Sequence, residues 1–126
     1  MREIEFRIRY RDKSWFYGVP ITKIKNDTVG FQSFDNSYYD LFADATTLGQ
    51  YIDQLDANKN KIFEGDIVTI NGDFEQVGVI KWDKDTSMFV ICVENIIYTF
   101  DEFYGYELEV IGNIYDNPEL IGDNNG

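Results

Sequence analysis

The residues best placed to do chemistry sit in the second half of the chain. Glu64-Gly65-Asp66 sets two carboxylates around a glycine. Such a pair can hold a hard cation or share a proton. With Ile67-Val68 behind it, the same run also reads as the start of a strand. Gly65 permits a positive φ, the Asp66 carboxylate can accept turn N–H groups, and Ile67-Val68 begin the extended segment. This structural role for Glu64, Gly65 and Asp66 is the preferred reading. Asp56, Asn58 and Asn60 mimic the alternating ligands that open a calcium loop. The match then fails, because Lys61 stands where the loop needs glycine and Ile67 where it needs the closing glutamate. A turn-rich polar loop is expected there, not a metal site.

Other routes to catalysis find little footing. The chain has no histidine, the commonest general base and metal ligand. Cys92, the single cysteine, lies within Phe89-Val90-Ile91-Cys92-Val93, where a thiol is inert packing. The carboxylate pairs Asp101-Glu102 and Glu107/Glu109 are what an acidic protein carries on solvated faces. No glycine run has phosphate-binding spacing. No catalytic, metal-binding or cofactor-binding residue is therefore assigned, and no cofactor is expected. One cysteine excludes an internal disulfide. Met1-Arg2-Glu3-Ile4-Glu5 lacks the apolar run of a secretory signal, and no segment approaches the ~18 apolar residues of a membrane helix. A soluble cytoplasmic protein is the expectation.

Charge narrows the partner class. The net charge is −12 over 126 residues. Residues 1–50 hold seven Lys/Arg against seven Asp/Glu, so all of that charge falls in residues 51–126, which hold four against sixteen. Phosphate backbones are bound by clustered Lys and Arg, so the acidic half opposes direct nucleic-acid binding. The one basic run is Arg7, Arg9, Arg11 and Lys13. Arg7 and Arg9 share a strand face, read as solvated and paired with Glu3 and Glu5 or with the acidic half of a neighbouring molecule. The chain also has 21 aromatic rings, more than a domain of this size can bury fully. Surplus aromatics mark protein interfaces. Tyr38, Tyr39 and Phe42, in a stretch without clear strand period, join Arg7 and Arg9 as the candidate interaction surface.

The elements that must position these residues are strands. Ile4, Phe6, Ile8 and Tyr10 alternate with charged residues, which is the period of a half-buried strand. Trp15 to Lys25 is a second strand, with Pro20 at an edge or bend. A third runs through Val29 and Phe31. Leu48, Tyr51, Ile52 and Leu55 have helical spacing, which Gly49 and the Thr46-Thr47 pair weaken, so 48–55 stays open between a short helix and an extended segment. Beyond the loop at Asp56, strands follow at Ile67–Ile70, Gln76–Trp82, Met88–Val93, Ile96–Tyr98 and Leu108–Tyr115. They are joined by the turns Asn71-Gly72 and Asp83 to Thr86. Thr99 to Glu102 has capping-box spacing for one helical turn. Asn117-Pro118-Glu119 can begin another. The expected architecture is mainly β: an N-terminal β-meander with its connecting segment over 1–47, an SH3-like small barrel over 48–121, and a frayed tail at 122–126.

Three segments carry a family resemblance. Gln50-Tyr51, Asp56, Asn58 and Ile62-Phe63-Glu64-Gly65-Asp66-Ile67-Val68 resemble the central signature of the YopX-like proteins of bacteriophages and prophages. Leu108-Glu109-Val110-Ile111-Gly112-Asn113-Ile114-Tyr115, with Asn117-Pro118-Glu119-Leu120, resembles their C-terminal signature. The opening Arg2-Glu3-Ile4-Glu5-Phe6-Arg7 is similar to the family's start. Two departures involve glycine. The family's tyrosine is usually followed by Thr-Gly, where this chain has Ile52-Asp53, and the glycine of the polar loop is Lys59 here. The resemblance implies an all-β fold with an SH3-like barrel, an extended 48–55, and a phage or prophage origin within a bacterial host cell. It supplies no catalytic residues.

The expected function is that of an accessory protein without catalytic activity, acting through contact with a protein partner, with self-association as one form of that contact. Two alternatives stand beside it. One is an acidic DNA mimic that occupies a nucleic-acid enzyme, with acids along one continuous ridge. The other is a barrel that binds a small molecule or nucleic acid through a deep pocket.

Overall fold

The computed structural model describes residues 3–10, 13–25, 28–32, 38–103 and 107–122, with side chains outside 21–29 and 38–45. Ten strands and short 3-10 turns make up its regular structure, and no α-helix occurs among the described residues. None of these elements is a helix long and apolar enough to cross a membrane. The chain divides into two compact units, Met1–Tyr51 and Ile52–Gly126.

The first unit is built from β1 (Phe6–Tyr10), β2 (Trp15–Lys25), β3 (Thr28–Gln32) and β4 (Tyr38–Leu55), which continues into the second unit. Consecutive strands pair antiparallel as a meander, and β1 also pairs with β4. The two long strands therefore each serve two partners. Residues 15–18 of β2 face β1 and residues 19–25 face β3. The change of partner falls beside Pro20, whose missing N–H suits an interrupted ladder, and the register slips between Pro20 and Thr22. β4 pairs through Tyr38–Phe42 with β3 and through Ala43–Gln50 with β1. The 48–55 segment is thus strand, as the family resemblance implied, and the helical spacing of its apolar residues is overridden by pairing with β1 through Gln50 and by the neighbouring strand of the sheet that follows it in sequence. Ile8 and Phe31 form the buried centre, with Phe6, Tyr10, Phe16 and Leu48 around them. Tyr10 and Phe16 meet edge to face at 5.6 Å.

The second unit holds β6 (Asp66–Ile70), β7 (Asp73–Asp83), β8 (Met88–Val93), β9 (Ile96–Thr99) and β10 (Leu108–Asn113). The sheet order is β10-β6-β7-β8-β9. The last strand lies beside the first, and a 3-10 turn, Phe100–Glu102, follows β9. This is the strand order of an SH3-like barrel. The short strand β5 (Lys61–Phe63) follows β4 in the other sheet's order. The core is aliphatic: Ile62, Val68, Ile70, Ile80, Ile91 and Leu108 are buried, with Tyr98, Phe100 and Phe103 packed at its margin. The turn between β6 and β7 takes positive φ at both Asn71 (55°) and Gly72 (72°), the geometry that Asn-Gly favours and that matches hairpin twist.

Candidate functional site

One of the two motif carboxylates, that of Asp66, serves the backbone. Glu64 and Gly65 form the turn between β5 and β6. Gly65 has φ 90°, its N–H donates to the Ile80 carbonyl at 2.8 Å, and its carbonyl accepts the Ile114 N–H at 2.9 Å. A Cβ there would press on the Tyr115 ring at 3.3 Å. Asp66 is 2% exposed, and its Oδ2 accepts the Phe63 N–H at 2.7 Å. A carboxylate so placed closes a turn, because charge-assisted bonds to backbone donors are short and strong. Gly65 and Asp66 thus serve the backbone of this turn, in which Glu64 also lies.

Asp56 works in the same way over a longer reach. Its Oδ1 accepts the N–H groups of Asn58 at 2.9 Å and Asn60 at 2.8 Å, while Oδ2 accepts that of Val110, on β10, at 2.9 Å. The apparent calcium loop is therefore an Asx turn that also tethers the last strand. Both glycine departures from the family pattern land on left-handed backbone, with φ 63° at Asp53 and 65° at Lys59. The C-terminal signature is a third turn. Asn113 Oδ1 accepts the N–H groups of Tyr115 at 3.0 Å and Asp116 at 2.9 Å, and Asn117 Oδ1 accepts the Asn113 N–H at 3.2 Å. Asn117 is spent on that bond and does not cap the 3-10 turn Pro118–Leu120 with its side chain.

The other candidates fall in different places. Arg7 is only 6% exposed, and its guanidinium lies 4.7 Å from the centre of the Trp15 ring. The solvated face read from the sequence is corrected here. Register sets Arg7 opposite Tyr17 on one side and Gly49 on the other, so its neighbours cover it, and the stacked arrangement is a cation–π contact. Arg9 is half-buried, and its N–H donates to Thr47 Oγ1 at 3.0 Å. The side chains of Tyr38, Tyr39 and Phe42 lie outside the described residues. Their backbone pairs with Gln32, Phe31 and Thr28 of β3. Burial pushes the Cys92 thiol above its ordinary range; Lys81 opposes this shift and Asp83 adds to it. Among the described residues no cluster of His, Cys, Asp and Glu is arranged to hold a metal ion.

A feature the sequence reading did not single out lies on β7 to β9. Phe74 (70% exposed), Trp82, Met88, Ile96 (54%) and Ile97 (58%) are large apolar side chains in solvent. Trp82 stacks edge to face on Phe89 at 5.0 Å and is still half exposed. The signal was present in part: Ile96-Ile97 within a four-residue strand must place one isoleucine on each face. The surrounding charge is one-sided, since residues 85–126 contain nine acids and no Lys or Arg.

The strand order and the three carboxylate- or amide-closed turns define a small all-β protein with an SH3-like barrel unit. The sequence matches the YopX protein family over residues 5–122, and the chain belongs to that family. The fold is similar to the crystal structure of protein EF1440 from Enterococcus faecalis, with a TM-score of 0.66 and 19% sequence identity over 97% of this chain and 100% of that one. No curated protein sequence matches the chain significantly.

Proposed function

We propose that the chain is a phage or prophage accessory protein that acts in the host cytoplasm by touching another protein and catalyses no reaction. The observation that carries this reading is the set of exposed large apolar side chains on three consecutive strands, Phe74, Trp82, Met88, Ile96 and Ile97, divided between the two faces of the sheet. Exposed apolar side chains of this size on neighbouring strands are the raw material of interfaces. Two further observations support it. The acids with the most distinctive spacing, Asp56 and Asp66, serve backbone N–H groups. The acidic field of the second unit repels nucleic-acid phosphates and favours cationic protein surfaces.

Affinity capture from a bacterial host lysate tests the reading, using the full chain beside a Phe74→Ser/Trp82→Ser variant whose unfolding midpoint is checked first. The expected result is a discrete protein retained by the parent and lost from the variant. Equal retention by both, or retention of nucleic acid alone, would overturn it.

A further inference from the structure

We propose that the open edge of β9 accepts an extended, cationic strand from a partner protein, lengthening the barrel sheet by one strand. The proposal rests on the protein-contact reading above and assigns it a site and a partner chemistry.

β9 is the terminal strand of its sheet and has no neighbour beyond it among the described residues. The direction of its backbone groups follows from two bonds. The Thr99 N–H donates to the Glu102 carboxylate at 2.7 Å, so it points away from β8. Hydrogen-bonding direction alternates along an antiparallel strand, so the N–H and carbonyl of Ile97 also face the open side. The pair Val93–Ile96 then closes the two-residue turn Glu94-Asn95, as a tight hairpin requires.

Side chains on both faces stop short at this edge. One cross-strand row runs Ile67, Val79, Cys92, Ile97, by the registers β6–β7, β7–β8 and β8–β9. Ile67 is fully buried and Val79 nearly so, Cys92 is half-buried, and Ile97 stands 58% exposed. On the other face Val93, packed against the aliphatic core, pairs with Ile96, 54% exposed. An added strand would continue both rows and cover both isoleucines. Natural sheets blunt such edges with lysine, proline or a bulge. β9 carries none of these; it is short and Glu102 already holds the Thr99 N–H, so the pairing groups left to a partner centre on Ile97.

Charge selects the occupant. Exposed Glu94 precedes the strand, and exposed Asp101 and Glu102 follow it. The nearest cation by register is Lys81, two strands inward, level with Val90 and Thr99. A second copy would bring the same acids to the same edge. A strand alternating Lys or Arg with β-branched apolar residues matches both the rows and the field.

The probe is an acetylated, amidated peptide alternating lysine and valine, titrated into the full chain near physiological ionic strength. Amide hydrogen exchange is read residue by residue. Saturating peptide should slow exchange at Ile97 roughly tenfold or more. A glutamate–valine peptide should leave it unchanged. Ile97→Lys should weaken binding roughly tenfold through lost apolar cover and like charge. If that variant unfolds, N-methylation of the peptide's alternate amides tests the same pairing without touching the protein. No protection at Ile97, or equal binding by the methylated peptide, overturns the proposal. Protection that rises with protein concentration alone would make the occupant a second copy and overturn it too. In each failing case the capture experiment above still decides the broader reading, because it scores contacts at Phe74 and Trp82.

Discussion

The two units bury charge in different ways. In the first, Glu5 and Arg7 are both buried, and the Arg7 guanidinium, covered by strand neighbours, stacks on Trp15. In the second, the carboxylates of Asp56 and Asp66 are buried against backbone N–H groups. The first device depends on residues brought together by sheet pairing, since Arg7 and Trp15 lie on different strands. The second is mostly local, because Asp56 reaches two and four residues ahead and Asp66 three behind. Local carboxylate–backbone turns are specified by short motifs; side-chain stacking across strands is not. The contrast explains why motif-bearing segments mark the second unit and why an acidic composition there is compatible with a tightly built core.

Each unit holds one tryptophan, Trp15 and Trp82, so replacing one with phenylalanine leaves the other as a reporter of its own unit. The largest expected effect is Asp56→Ala. It strips an acceptor from three backbone N–H groups and should cost about 4 kcal/mol in urea unfolding followed at Trp82. Asp56→Asn, which keeps one acceptor oxygen, should recover part of the loss. A cost below about 1 kcal/mol would break the idea that local carboxylates build the second unit. Next comes Gly18→Ala in the first unit. An added Cβ would fall on the Gln32 carbonyl oxygen of β3, part of the backbone, so the strands must part. A loss of about 3 kcal/mol at Trp15 is expected.

Smaller and opposite in sign is Lys59→Gly. Glycine normally weakens a fold by loosening the unfolded chain, but φ 65° here strains any side chain. Removing the lysine side chain should stabilise by about 0.5–1 kcal/mol. Asp53→Gly should gain less, since aspartate tolerates left-handed backbone better. The smallest effect concerns Cys92. With its thiol held above the ordinary range by burial, alkylation near neutral pH should be slower than in urea-unfolded chain and should accelerate as pH rises past the free-thiol range. Equal rates in both states would remove Cys92 from the half-buried row that leads to Ile97.

These differences also set what could be read from the chain alone. Asn71-Gly72, Glu64-Gly65-Asp66 and Thr99 to Glu102 announced their turns because the feature marking each, a positive φ or a side-chain bond to backbone, lies within a few residues. The barrel strands between them followed. Residues 48–55 gave a helical period, yet the segment is strand: Gly49 and Gln50 pair with β1, some forty residues earlier, and β4 also neighbours β5 in the sheet, so pairing beyond the segment overrides its apolar spacing. Arg7 was misread for the same reason: alternation places it on a face but not under Trp15 and between two strands. The exposed apolar residues on β7 to β9 were legible only in part. Nothing in Ile96-Ile97 says that theirs is the terminal strand; only the sheet order does.

The proposed function requires the acidic unit to present its exposed apolar strands to a protein. A photo-crosslinking residue placed in turn at positions 74, 82 and 97, with position 58 in the Asp56 loop as control, tests it in host cells. Discrete protein adducts are expected from the strand positions and none from position 58. Adducts to nucleic acid, or adducts from position 58 alone, would contradict it.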